Sequence, residues 1–79
     1  MQGEIVKSLR GHDKDKFYVV VMQKDKYVFV ADGKNKKIDA PKKKSIKHVV
    51  CTDEKINLSE YTDKSLRKLI NRLNTASTQ

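Results

Sequence analysis

The sequence predicts a small, mainly β domain of five short strands, arranged as a barrel or half-open roll and followed by one C-terminal α-helix. Two observations support this fold class. Apolar and β-branched segments recur through the first fifty residues with turn-forming residues between them, and the last twenty residues carry apolar side chains at helical spacing. A chain of 79 residues is long enough for one such domain.

The strand assignments follow the apolar segments and the residues that interrupt them. The polar residues 23–25 separate the second and third strands, and Asp32-Gly33 suits a tight turn because glycine tolerates positive φ. Pro41 ends the fourth strand, since proline has no N–H to donate to a ladder. In the fifth strand, Ile46 and Val49 are predicted to point inward. The five predicted strands span residues 4–9, 17–22, 26–31, 34–38 and 45–50.

The C-terminal segment is predicted to form an amphipathic helix over about 62–74. Its apolar residues fall at i, i+3, i+4 and i+7, which places them on one face, and Thr62 is a suitable N-cap. They are Leu66, Leu69, Ile70 and Leu73. A helix of this length is marginal alone in water, so we expect it to dock on the β domain, with a second subunit or another protein as alternatives. The chain is therefore predicted to be one domain, in which residues 1–56 form the β part and residues 57–79 form the connection and the helix.

The charge balance indicates a polyanionic partner. The chain has a formal net charge of +8 and a pI near 9.7, and its lysines are clustered rather than dispersed. Such a field attracts nucleic acid first and an anionic membrane surface second. The sequence has no apolar run of about 18 residues to span a bilayer, no secretory signal at its N-terminus, and a single cysteine, which together predict a cytoplasmic protein.

The residues that usually perform catalysis are sparse. The only histidines are His12 and His48 and the only cysteine is Cys51, too few for a structural zinc site with about four ligands. No spacing couples a nucleophile to a base, and no glycine-rich phosphate loop is present. We therefore expect a protein that is not an enzyme and needs no metal or cofactor.

Two basic segments are the candidate binding site. The first joins the first two strands, where Gly11 lets the backbone approach a phosphate closely. The second is residues 33–48, in which seven of sixteen residues are lysine. Lysine binds phosphate as a point charge, which gives affinity without base selectivity. The aromatic residues Phe17, Tyr18, Tyr27 and Phe29 are expected to lie mostly in the core, which favours recognition of structured RNA over stacking on single-stranded bases. The predicted RNA contacts are Lys7, Arg10, Gly11, His12, Lys14, Lys16, Lys34, Lys36, Lys37, Lys42, Lys43, Lys44 and Lys47.

The segment GEIVKSLRGHDKDKFYVVV resembles a KOW motif. Gly3, Ile5 and Val6 match the opening of that motif, Gly11 matches its turn glycine, and Lys14 and Lys16 match its basic loop. The continuation YVFVADGKNKKIDAPKKKSIKHVV is similar to the large-subunit ribosomal protein fourteen-e family and its short bacterial relatives. The sequence departs from the family at Asp15, near which a second glycine is common.

The resemblance covers residues 3 to about 53 and implies an SH3-like β-barrel that binds ribosomal RNA of the large subunit. It also implies that the loop from Gly11 to Lys16 touches RNA, with the lysines of 34–47 beside it. The helix lies outside the motif. Two other functions remain open: an SH3-like protein-interaction module, with the helix as a surface for a protein partner or self-association, and a transcription-elongation accessory factor.

Overall fold

The computed structural model describes residues 2–12 and 14–76, which form one five-stranded antiparallel sheet and one α-helix. The strands lie in the order β4-β3-β2-β1-β5, so the sheet edges are β4 and β5. Single-turn 3-10 helices at Ile46–His48 and Leu58–Glu60 flank β5. The bounds are β1 Glu4–Ser8, β2 Phe17–Lys24, β3 Tyr27–Ala31, β4 Lys42–Ser45, β5 Val49–Lys55 and α1 Asp63–Ala76. The prediction of a mainly β chain with five strands and a C-terminal helix is confirmed.

The fourth predicted strand, residues 34–38, is wrong, because no strand forms there. The Asp32 carboxylate explains the difference, because its Oδ1 accepts hydrogen bonds from the backbone N–H of Lys34 (2.9 Å) and of Lys36 (3.0 Å). The N–H groups of Asp32 and Gly33 both donate to the Lys36 carbonyl. These local bonds fold the segment into a compact turn, as aspartate commonly does in loops.

The strand lies instead at the lysines that follow Pro41. In β4, Lys42, Lys43 and Lys44 pair with Val30, Phe29 and Val28 of β3. Lysine has low strand propensity, but it is common on exposed edge strands, where its charge discourages pairing with another chain. The last predicted strand, 45–50, begins four residues later than expected, because Ile46–His48 forms a 3-10 turn capped by the Ser45 hydroxyl.

One face of the sheet is covered by α1. Ile5 and Val19 are opposite each other in β1 and β2, and Val19 is opposite Ala31 in β3, so all three side chains share this face. They are buried together with Leu66 and Ile70 of the helix. The helix predicted from the apolar stripe is therefore confirmed, and the stripe packs on the chain's own sheet.

The other face buries a second apolar cluster drawn from four strands. Its members alternate with those of the helix-covered face, as strand geometry requires. They are Val6, Tyr18, Val20, Val28, Val30 and Val49, with Ile46 packed against them. The inward position predicted for Val49 is confirmed. In the described part of the chain β4 and β5 do not pair with each other, so the sheet is open, and its closure into a barrel stays a prediction.

Side-chain hydrogen bonds fix both ends of the helix. Thr62 and Ser65 cap its start reciprocally: the Ser65 N–H donates to Thr62 Oγ1 (3.3 Å) and the Thr62 N–H donates to Ser65 Oγ (2.9 Å). Near the other end, Asn74 Oδ1 accepts from the Phe17 N–H at 3.0 Å. No helix in residues 2–12 and 14–76 has the length and apolar character needed to cross a membrane.

Candidate nucleic-acid interface

The two basic segments meet in an open depression of about 390 Å³, which we call the lysine depression. Three parts of the chain form it: the β1–β2 loop, the β3–β4 loop and the edge strand β4. Tyr18 of β2 lies between them. The lining residues are Gly11, His12, Lys16, Tyr18, Asp32, Asn35, Lys36, Lys42 and Lys44.

Strand register explains why only alternate lysines of β4 reach the depression. Lys42 and Lys44 are opposite Val30 and Val28, two residues of the cluster on the face away from the helix. Lys43 is opposite Phe29, so its side chain lies on the helix-covered face.

A buried aromatic ring links the depression to the core. Tyr18 is only 2 % exposed, and the Lys36 ammonium lies over its ring at 5.3 Å from the centroid. At this distance an ammonium is attracted to the electron-rich face of the ring. Tyr18 therefore helps to hold the Lys36 cation over the depression.

Among the residues that the structure describes, one carboxylate lines the depression, and it already has hydrogen-bond donors within its own loop. Asp32 Oδ1 accepts from the two backbone N–H groups that shape the β3–β4 turn. Its charge is thus partly compensated by backbone dipoles, while Lys16, Lys36 and Lys42 contribute three ammonium groups to the same surface. Lys44 adds a fourth. The balance in the depression is cationic, which suits a phosphate-rich ligand.

The β1–β2 loop closes on itself through backbone hydrogen bonds. The Asp15 N–H donates to the Ser8 carbonyl at 2.7 Å, and the Ser8 N–H donates to the Lys16 carbonyl at 2.9 Å. Between these bonds Gly11 has φ 87°, a left-handed conformation that glycine adopts without strain. The loop therefore presents Gly11 and Lys16 to the depression from a defined backbone.

Asp15 occupies a backbone conformation that favours glycine. Its φ is 70°, and aspartate tolerates this region better than most residues. The Asp15 carboxylate lies 3.8 Å from the Lys7 ammonium, and both groups are substantially exposed. Asp13, the other loop aspartate, lies outside the described residues.

Removing the charge of Asp15 should strengthen binding of a polyanion. We expect Asp15→Asn to tighten affinity for RNA by about two- to fivefold at low salt, because one exposed unit charge nearby contributes up to about 1 kcal/mol. Asparagine also tolerates positive φ, so the fold should be unchanged. Fluorescence anisotropy at two salt concentrations measures the effect. An unchanged affinity in a variant with an unchanged melting temperature would place the bound RNA away from this loop.

The structure brings together about half of the predicted contacts. Those that line the depression are Gly11, His12, Lys16, Lys36, Lys42 and Lys44. Those that do not line it are Lys7, Arg10, Lys14, Lys34, Lys37, Lys43 and Lys47. Three further lining residues, Tyr18, Asp32 and Asn35, were not predicted. The Asp32-Gly33 turn was the signal for Asp32, whereas Tyr18 was read from the sequence as core.

The described part of the chain also contains a cysteine thiol, that of Cys51 on β5. Cys51 is exposed there, and the pKa of its thiol is raised, mainly by partial desolvation and further by its hydrogen bond with Glu4 and the negative charge of that residue. A thiol with a raised pKa is a weak nucleophile at neutral pH. Among the described residues, no group of three or more histidine, cysteine, aspartate and glutamate side chains is placed to hold a metal ion.

Neither a protein-family model nor a curated protein matches this chain. The fold and the lysine depression are therefore the basis for the functional proposal.

Proposed function

We propose that this protein binds structured RNA without catalysing a reaction, and that the lysine depression is its phosphate-binding surface. The RNA we favour is ribosomal RNA of the large subunit, in keeping with the KOW resemblance of residues 3 to about 53, and the cytoplasm is the corresponding location. On this proposal the open sheet is a variant of the SH3-like barrel, curved around the cluster that contains Val6, Tyr18 and Val28.

The observation that carries the proposal is the convergence of lysines from separate segments. Lys16 comes from one loop, Lys36 from another and Lys42 from the edge strand, yet all three line one depression. Concentrating like charges costs energy in the free protein, and a bound polyanion removes that cost while releasing its own counterions.

The aromatic residues favour recognition of the RNA backbone over base stacking. Tyr18 is buried, so its ring is not available to a base. Tyr27 is 43 % exposed, but the Lys43 ammonium lies 4.2 Å from its ring centroid and occupies one face. Lysine contacts to phosphate and sugar, without stacked bases, are typical of proteins that recognise double-stranded RNA by its shape.

Neighbouring lysines of β4 provide the test. We expect Lys42→Gln/Lys44→Gln to weaken binding of an RNA duplex by about tenfold. For the wild type, four phosphate contacts give a slope of log affinity against log salt between about −3 and −4, and the double variant should make this slope shallower by about two. Lys43→Gln is the matched control, because Lys43 lies in the same strand and faces the other side. Anisotropy titrations across a salt series measure both quantities.

Either of two results would contradict the proposal that the lysine depression binds RNA. One is an unchanged salt slope in the folded double variant, and the other is an equal loss from Lys43→Gln, which would indicate delocalised attraction. The ribosomal assignment has its own measurement, sedimentation of cell lysate through sucrose gradients at low and high salt. Co-migration with large subunits that disappears at high salt is expected, whereas a protein that stays at the top of both gradients would count against the ribosome.

A further inference from the structure

The outer face of α1 carries a row of cations that the lysine depression does not include. Lys64, Lys68 and Arg72 follow one another at four-residue intervals, and Arg67 lies beside them. All four side chains are exposed. Since residues four apart in a helix share a face, the first three form a row along α1, on the side away from Leu66 and Ile70. We call these four residues the helix row.

Within the described residues, the helix row has no acidic partners. No carboxylate of the described residues lies within 4.0 Å of its ammonium or guanidinium groups. The acidic residue in the first turn, Asp63, accepts a hydrogen bond from the Ile38 N–H at 2.7 Å instead. Like charges four residues apart destabilise a helix. A surface helix usually intersperses both signs, so this arrangement favours an external anion.

The partner that fits the helix row is a nucleic-acid duplex. The helix is held on the sheet by buried Leu66 and Ile70, so its apolar face is not available to enter a lipid bilayer. The row extends about 12 Å from Lys64 to Arg72, given a rise of about 1.5 Å per residue. Over that length each strand of a duplex presents roughly three to four phosphate charges, at about one per 3.4 Å. A rigid row of four cations matches this density without ordering a flexible segment.

The lysine depression and the helix row lie on opposite faces of the sheet. Lys42 and Lys44 share the face of Val28 and Val30, whereas α1 covers the face of Ile5, Val19 and Ala31. We therefore do not expect a straight duplex that lies along Lys42 and Lys44 to reach the row of Lys64, Lys68 and Arg72 at the same time. We propose that the helix row binds a second RNA duplex, so that one molecule of this protein bridges two RNA segments. This inference rests on the proposed function of the lysine depression.

A bridging assay tests the inference with the full chain. One RNA duplex is immobilised, the protein is added at saturation and washed, and capture of a second, fluorescent duplex is measured. The helix variant is Lys64→Gln/Lys68→Gln/Arg72→Gln, whose glutamines retain good helix propensity. We expect it to bind the first duplex with affinity reduced less than threefold and to lose at least nine-tenths of second-duplex capture. Lys24→Gln/Lys26→Gln/Lys55→Gln removes the same charge elsewhere and should retain capture.

The outcomes separate this inference from the proposed function. Binding of one duplex with no capture of a second by the wild type, or capture that survives in the helix variant, would overturn bridging and leave the lysine depression in place. No binding of RNA by the wild type would overturn both. Binding that depends only on the helix row would overturn the depression and also bridging. Binding to anionic lipid vesicles through the helix row in preference to RNA would show that the second partner is a membrane surface.

Discussion

Replacing Leu66 with alanine is expected to lower the free energy of unfolding by about 2–5 kcal/mol, the range found for buried leucines. Leu66 is fully buried between α1 and the sheet, in the cluster with Ile5, Val19, Ala31 and Ile70. Its truncation removes apolar area from the interface and leaves a cavity that the surrounding strands cannot fill completely. Among the described residues of α1, it is the only one that is less than 2 % exposed.

The size of the chain makes this loss severe. Small domains bury a smaller fraction of their surface than large ones, and total stability is only about 5–15 kcal/mol even for ordinary domains. The Leu66→Ala protein should therefore unfold at a much lower urea concentration, with α1 undocked or the whole domain unfolded. Urea titration followed by circular dichroism measures the change. Leu9→Ala is the control, because Leu9 is 42 % exposed and its truncation should change stability by less than about 0.5 kcal/mol.

An unchanged midpoint for Leu66→Ala would mean that the helix does not contribute to the folded core. It would also weaken the bridging proposal, which requires α1 to hold the helix row rigidly. The wild-type protein and the Leu9→Ala variant should have superimposable unfolding curves within error, so the comparison isolates burial from side-chain size.

Apolar pattern was sufficient to predict most of this fold. The alternation and β-branched content of 17–22 and 26–31 located β2 and β3, and the spacing of Leu66, Leu69, Ile70 and Leu73 located the helix. In each case burial of the residues themselves decides the structure, so the signal lies within the segment. Pairing order and the helix-covered face depend on contacts distant in sequence, and the pattern does not contain them.

The segment from Asp32 to Ser45 shows where local pattern fails. Its strand is at Lys42–Ser45 because β3 offers an unpaired edge to it, not because lysine favours extended backbone. Residues 34–38 form a turn instead of the predicted strand because the Asp32 carboxylate accepts hydrogen bonds from the backbone N–H groups of Lys34 and Lys36. Charge clustering identified the basic segments, but it did not separate Lys42 and Lys44 from Lys43. Which of these lysines share a face of the sheet is known only from the pairing of β4 with β3.

Gly33 joins the helix to the loop that carries Lys36, and its replacement by alanine should disturb both. Its φ is 79°, and a left-handed conformation costs an alanine about 1–2 kcal/mol. An added Cβ would also collide with the Asp63 carbonyl oxygen and lie 2.7 Å from the Arg67 nitrogen. Both atoms belong to the backbone of α1, so the helix start, the loop or both must move.

We expect Gly33→Ala to lower the free energy of unfolding by at least about 2 kcal/mol, more than the conformational term alone. Gly11→Ala is the matched control: Gly11 has a similar φ of 87° but is solvent-exposed, so it isolates the cost of the backbone conformation. Thermal unfolding of the two variants gives the comparison. An equal loss of stability in both would show that the packing of α1 against this loop contributes nothing.

Gly33→Ala also tests whether RNA binding depends on the positions of the lysines or only on the net charge of the protein. Gly33→Ala removes no cation, yet it should displace Lys36 relative to Lys42 and weaken duplex binding severalfold at a temperature where the variant is folded. If binding depended only on net charge, affinity would not change, because electrostatic attraction at long range is insensitive to displacements of an ångström or two. A loss of affinity with an undiminished net charge would therefore indicate that the lysine depression works as an assembled surface, held in shape by the helix on the opposite face of the sheet.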